Sequence, residues 1–198
     1  MVYNDDDGIT MADVKGRNSI RSMADDPSKA LATARDINHP WYRCQALTEV
    51  ADMLAASARL SLLEEALAAA YEQSQPNQIA NVACWPLHSL LGFNPTLSQQ
   101  WLTRLLNTIA LEPHGLRRLH GLAHILFSVM PHETLREQAL KDFLATAEVS
   151  FGDRIERLVA AVAVALAKYE YERACALLRS RKPDRRIRQA MRQLGIAQ

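Results

Sequence analysis

A repeated helix corner is the feature of this sequence that most constrains its fold. Its clearest copy lies in residues 34–55, where the segment ARDINH ends one helix and Pro40 opens the next. Proline suits the first position of a helix because the N–H it lacks would have no intrahelical acceptor there. Similar corners follow at Pro76, Pro113, Gly152 and Pro183, at spacings of 36, 37, 39 and 31 residues. A period of this length is typical of arrays of helical pairs.

The residues between the corners favour helices over strands. In the segment after Pro40, Leu47, Val50, Ala51 and Leu54 recur at the spacing of one helical face. No run of alternating Val, Ile and Thr indicates a strand. We therefore predict an all-α fold, a right-handed α-α superhelix (solenoid) of about five antiparallel helix pairs.

Residues 1–25 and 26–198 differ in character. The first segment is acidic and lacks clear periodicity, so we expect a flexible N-terminal tail with a short helical stretch near residues 20–23. Deleting residues 1–18 is expected to leave stability nearly unchanged. Asp26 and Pro27 form an N-cap and a first helical position, and they open a helical-repeat domain over residues 26–198.

The chain resembles the broad α-solenoid class of HEAT-like and tetratricopeptide-like repeats. The resemblance lies in Ala34-Arg35 and Ile37, then Pro40 and Arg43, followed by the Ala46-Leu47 run. The spacing of the corners extends the resemblance over residues 26–195. The tetratricopeptide and ankyrin signature motifs are missing. The class implies a binding scaffold and supplies no catalytic residues.

The sequence contains no motif for nucleophilic, zinc-protease or phosphate-binding chemistry. With only seven glycines, it has little room for a glycine-rich phosphate loop. The three cysteines are far apart and lie in apolar helical segments, so we expect buried reduced thiols. No signal pattern opens the chain, and its longest apolar run, Leu158 to Ala167, is shorter than the ~20 residues of a membrane span. We expect a cytoplasmic, non-enzymatic protein with no cofactor and no membrane association.

Two pairs of residues have metal-ligand spacing. Cys84 and His88 stand four residues apart, as do His120 and His124, and neighbouring repeats could bring the two pairs together. Against a metal site, Pro86 disturbs the first pair, and both pairs lie in segments rich in core residues. We therefore assign no metal site.

The three tryptophans have two interpretations. Trp41, Trp85 and Trp101 could line an aromatic groove for a peptide or a base. Packing between repeats is the commoner role of such residues, and Trp101 adjoins the apolar face that begins at Leu102. We expect packing.

Arginines recur near the starts of the helices that follow the corners. Cations are mildly unfavourable there because of the helix dipole, so the repetition needs a reason. Pairing with acids such as Asp36 or Glu156 is one reason, and a row of arginines facing an acidic partner is another. The predicted partner-binding residues are Arg43, Arg117, Arg118, Arg154, Arg157, Arg181, Arg185, Arg186 and Arg188.

The C-terminal end is basic although the formal net charge of the chain is only +1. From Glu170 onward, eight Arg or Lys residues stand against three acids. The apolar stripe of Ile187, Ala190, Met191 and Leu194 predicts a terminal helix that caps the array. The sequence therefore indicates a scaffold that binds a protein or peptide with an acidic surface, and the chain's own segment Asp5–Asp7 could also face the basic end. The alternative is a nucleic-acid-binding HEAT-like module, similar to a DNA glycosylase, that uses the basic C-terminus, the corner arginines, and Trp85 or Trp101.

Overall fold

The computed structural model describes residues 8–196, and within that range the protein is entirely helical, as predicted. Eleven α-helices and one 3-10 helix lie in this range. They are α1 (Met11–Ser19), the 3-10 helix η1 (Ile20–Met23), α2 (Pro27–Arg35), α3 (Pro40–Met53), α4 (Ala56–Ala70), α5 (Pro76–Leu91), α6 (Pro95–Ala110), α7 (Gly115–Val129), α8 (Glu133–Glu148), α9 (Asp153–Leu166), α10 (Tyr171–Arg179) and α11 (Arg185–Gln193). No helix among these residues is long and apolar enough to span a bilayer.

The helices form two compact units, residues 1–101 and 102–198, with α6 beginning in the first and ending in the second. In the first unit, α3 packs against α1, α2, α4 and α5. In the second, α7 packs against α8 and α9, and α9 packs against α10 and α11. Within each unit, every helical pair therefore contacts its neighbour along the chain, as a helical-repeat arrangement requires.

The repeat spacing reappears in the contacts between α3 and α5. Ser89 Oγ, near the end of α5, lies 3.1 Å from Asp52 Oδ2, near the end of α3. Midway along the same helices, Cys44 Sγ lies 3.6 Å from the carbonyl oxygen of Val82. These pairs are 37 and 38 residues apart in sequence. The two helices therefore run in the same direction, one repeat apart.

Local sequence explains where most helices begin and end. Proline is the first residue of α2, α3, α5 and α6. The side chains of Asp26 and Asp184 cap α2 and α11 by accepting from the backbone N–H of Lys29 and Ile187. Gly195 follows α11 with φ 69°, a conformation that an L side chain adopts at a cost.

The N-terminal segment differs from the expected tail over its described part. Residues 1–7 lie outside the described residues, whereas 11–19 form α1 and 20–23 form η1, the one short helix that was expected. Asp13 is only 2 % exposed, and its Oδ1 accepts from the backbone N–H of Asn38 and His39. Arg17 pairs with Glu49 of α3 at 3.1 Å, and Ile20 is fully buried. Polar contacts and one apolar anchor, rather than an amphipathic face, therefore attach this segment to α3.

Pro86 lies inside α5, which continues from Pro76 to Leu91 as a single helix. A proline inside a helical segment allows either a kinked helix or two short ones, and the structure has one continuous helix. Pro86 has no N–H to donate to the carbonyl of Val82, one turn earlier.

Candidate partner-binding surface

The C-terminal helix α11 places one apolar face against the protein and one basic face toward solvent. Ile187, Ala190 and Met191 are buried where α11 packs on α9, and Leu194 is half-buried. This confirms that the predicted stripe docks the terminal helix. The opposite face consists of Arg185, Arg188 and Arg192, which are exposed, and Arg186, which is half-buried.

Six basic side chains at this end make no ion pair with any carboxylate among residues 8–196. We call them the C-terminal basic surface: Arg179, Lys182, Arg185, Arg186, Arg188 and Arg192. Elsewhere, arginines such as Arg17, Arg35 and Arg136 each pair with a glutamate about one repeat further along the chain. This surface therefore has positive charge that the described part of the protein does not neutralise.

A pocket of about 370 Å³ opens between α10 and α11. Arg179, Arg181 and Arg188 contribute its charged lining. The remaining lining residues are Leu178, Pro183 and Met191. A pocket with cationic walls and an apolar floor suits an anionic group attached to a hydrophobic chain.

Arg181, one of the predicted partner-binding residues, is instead a buried structural residue. Its side chain is 6 % exposed and binds both carboxylate oxygens of Glu156. It also donates to the carbonyl oxygens of Ala147 at 2.6 Å and Ser150 at 2.8 Å, and it lies 5.3 Å from the ring centre of Phe151. Glu156 is therefore the partner of Arg181, and not of the corner arginines as the sequence suggested. These contacts join the ends of α8 and α10 to the start of α9.

Arg43 and Arg118 lie at the fourth position of their helices and donate to backbone carbonyls just before them. Arg43 Nη1 binds the oxygens of Ile37 and Asn38, and its Nη2 pairs with Glu72. Arg118 Nε binds the oxygen of Glu112 at 2.8 Å. Arg136 and Arg188 repeat the arrangement in α8 and α11.

This backbone contact gives the recurring arginines a structural reason, because the carbonyls of the corner residues lie outside the helical hydrogen-bond ladder and need other donors. In the sequence, this contact is visible as an arginine at the fourth position of several helices. Acidic partners alone do not account for this position, because its side chains also bind backbone carbonyls.

The remaining predicted residues, Arg117, Arg154 and Arg157, are exposed in the first turns of α7 and α9. None of the three lines the pocket between α10 and α11. The residues that the structure does bring together are Arg181, Arg185, Arg186 and Arg188, in or beside α11. Arg179 is not among the residues predicted from the sequence, although it lines the pocket.

Among residues 8–196, no three metal-ligating side chains come together. The rings of His120 and His124 lie 4.7 Å apart, and desolvation lowers the pKa of both. Cys84 is buried, and its thiol donates to the carbonyl oxygen of Ala80. All three cysteines are buried, and none forms a disulfide within residues 8–196, as expected.

The tryptophans occupy three different environments. Trp101 is 6 % exposed and belongs to the core. The guanidinium of Arg17 lies 5.2 Å from the ring centre of the half-buried Trp85. Trp41 lines a pocket of about 430 Å³ in the first unit, together with His39 and Tyr42. Packing accounts for Trp101, whereas Trp41 lies at a pocket.

No family model matches this chain, and no curated protein or solved structure matches it either.

Proposed function

We propose that this protein is a non-enzymatic scaffold, built on HEAT-like or tetratricopeptide-like helical repeats, that binds an acidic segment of a protein or peptide. The observation that carries the proposal is the C-terminal basic surface, whose six cationic side chains have no carboxylate partner among residues 8–196. Like charges on one helix face repel, and each pair at i, i+4 costs a few tenths of a kcal/mol. An acidic partner would remove that cost.

The apolar floor of the pocket favours a peptide over a nucleic-acid backbone. Leu178 and Met191 offer contacts that an acidic peptide can use with its own side chains, whereas a phosphate backbone needs a continuous line of cations. The burial of Trp101 also leaves the glycosylase-like alternative with Trp85 as its aromatic residue, and Arg17 lies against that ring. The experiment below therefore tests the nucleic-acid alternative with a second probe.

The test measures fluorescence anisotropy of two labelled probes, an octaglutamate peptide and a 12-nucleotide single-stranded DNA. The triple variant Arg179→Gln, Arg185→Gln, Arg186→Gln removes three charges and leaves Arg188 to hold the carbonyl of Pro183. We expect the triple variant to bind the peptide about tenfold more weakly. Binding by the unmodified protein should also weaken between low salt and ~0.1 M salt, where exposed charges are screened beyond ~10 Å.

A matched control removes three exposed charges elsewhere in the second unit, through Lys141→Gln, Arg157→Gln and Lys168→Gln. It has the same net charge as the triple variant but leaves the C-terminal basic surface intact, so it should bind the peptide nearly as well as the unmodified protein. If both variants lost the same affinity for the peptide, the loss would come from net charge alone. A specific binding surface would then be refuted. Preferential binding of the DNA would support the nucleic-acid alternative.

A further inference from the structure

Three exposed apolar side chains lie at two neighbouring corners of the second unit. Leu111 follows α6 and is 75 % exposed, whereas Val149 and Phe151 flank the corner between α8 and α9 and are 77 % and 75 % exposed. We call these three residues the corner patch. Large apolar side chains in such a cluster are a common mark of an interaction surface.

Ser150 and Gly115 bring the two corners together. Ser150 is buried between the exposed Val149 and Phe151. A Cβ atom built on Gly115, the first residue of α7, would lie 2.8 Å from Ser150 Oγ. This close approach brings the start of α7 against the corner between α8 and α9, and Leu111 lies four residues before Gly115 in the sequence.

Arg181 connects the corner patch to the pocket between α10 and α11. Its guanidinium lies against the ring of Phe151 and donates to the carbonyl of Ser150. The same side chain lines the pocket, next to Arg179 and Arg188. Arg181 therefore contacts the corner patch at Phe151 and also lines the pocket between α10 and α11.

The charges around the corner patch are asymmetric. Glu112, Glu148 and Asp153 are the acids closest to it in sequence; Glu112 is buried and the other two are exposed. The unpaired cations lie beyond Arg181, on α10 and α11. A ligand with acidic groups over α10 and α11 would neutralise the cations there. Its apolar groups, placed over the corner patch, would bury the exposed apolar side chains.

We infer that the corner patch and the C-terminal basic surface form one binding site for a short acidic segment that carries one or two large apolar side chains. This inference rests on the proposed function and narrows it, because it requires an apolar anchor in the partner. The acidic residues give charge complementarity, and the anchor buries Leu111, Val149 and Phe151.

The test compares two labelled octapeptides with the same charge. Each contains six glutamates, with a central Leu-Phe pair in one and a central Gly-Ser pair in the other. We expect the Leu-Phe peptide to bind about tenfold more tightly, a modest effect for burying two apolar side chains. The double variant Val149→Ser, Phe151→Ser should abolish this preference and leave the affinity for the Gly-Ser peptide unchanged.

A second variant, Leu111→Ser, keeps the experiment decisive if the loss of Phe151 disturbs Arg181. It should reduce the preference by about threefold, with an unchanged melting temperature. Equal binding of the two peptides would overturn the inference and leave the proposed function standing. Failure of both peptides to bind would overturn both proposals.

A preference that persisted in both variants would also overturn the inference, because the anchor would then lie elsewhere. So would a dimer in sedimentation that the double variant converts to a monomer, since a second copy of the chain would then cover the patch.

Discussion

The thiol of Cys44 donates to the carbonyl oxygen of Val82, at a sulfur–oxygen distance of 3.6 Å. This is the carbonyl that Pro86 leaves without its helical donor. Both groups are buried, and burial raises the pKa of the Cys44 thiol, so the proton needed for the contact stays on the sulfur. A side chain of α3 thus compensates for the proline in α5, one repeat further along the chain.

The first prediction follows from this pairing. Cys44→Ala should destabilise the protein by about 1–2 kcal/mol, because it leaves a buried carbonyl without a donor. In the Pro86→Ala background, residue 86 gains an N–H that can bind Val82, and the cost of Cys44→Ala should fall by ~0.5–1 kcal/mol. Urea unfolding of the four proteins in the cycle measures this coupling.

Cys175→Ala serves as the control for the cycle, because Cys175 is also buried but lies on α10. Its cost should be the same with either residue at position 86. Additive effects of Cys44→Ala and Pro86→Ala, within ~0.3 kcal/mol, would contradict the account.

The second prediction concerns the attachment of the N-terminal segment. Asp13→Ala should lower stability by about 1–3 kcal/mol, since it removes the acceptor for two backbone N–H groups before α3. Deletion of residues 1–18 should lower the melting temperature further, opposite to the expectation from sequence. Asp25→Ala, at an exposed position of the same segment, is the control and should change little.

Acid titration gives the third prediction. The hydroxyl of Thr10, which donates to the Asp13 carboxylate, is the largest cause of lowering the pKa of Asp13 from 3.8 to about 2, and the backbone N–H groups of His39, Thr10 and Asn38 add to it. A lowered pKa stabilises the folded state fully above the unfolded value. That stabilisation is lost as the pH falls through the folded value.

The stability difference between the unmodified protein and Asp13→Ala should therefore shrink as the pH falls from ~4 to ~2. Unfolding in urea across that range measures the difference. A constant difference would mean that the Asp13 carboxylate does not hold these contacts.

The pattern of corners predicted the helices well, because proline and capping residues act locally. Pro40 and Pro76 open α3 and α5, and Asp26 caps α2, all as the sequence indicated. The docking of α1 could not be predicted in the same way. Its contacts join Asp13 and Arg17 to residues 25 to 32 positions away. No periodic pattern in the sequence indicates such a pairing.

The candidate surface was predicted only in part, for a similar reason. The basic composition of α11 is visible in the sequence and led to the prediction of Arg185 and Arg186, which make no ion pair with a carboxylate among residues 8–196. Composition could not separate them from Arg181, because the burial of Arg181 depends on Glu156, 25 residues earlier.

The fourth prediction tests that buried pair. Arg181→Met should cost about 3–5 kcal/mol, because Glu156 would keep a buried charge without its partner. Adding Glu156→Leu should recover part of the loss. Arg179→Met, at an exposed neighbouring position, should change stability by less than ~0.5 kcal/mol. If Arg181→Met unfolded at the same urea concentration as the unmodified protein, the network around Arg181 would be refuted.

The fifth prediction concerns the core of the second unit. Val162 is fully buried on α9, so Val162→Asp should unfold this unit, because burying an unpaired carboxylate costs several kcal/mol. Val149→Asp introduces the same side chain at an exposed position and should leave the melting temperature nearly unchanged. Circular dichroism measures both. A folded Val162→Asp protein would contradict the placement of α9.

The central claim is that the C-terminal basic surface receives an acidic segment, and an NMR titration tests it most directly. Octaglutamate is added to ¹⁵N-labelled protein, and backbone amide shifts are followed residue by residue. The account predicts that residues 179–192 shift first, and that these shifts are lost in the variant with glutamine at positions 179, 185 and 186. Shifts confined to other segments, or an unchanged response of that variant, would contradict the claim.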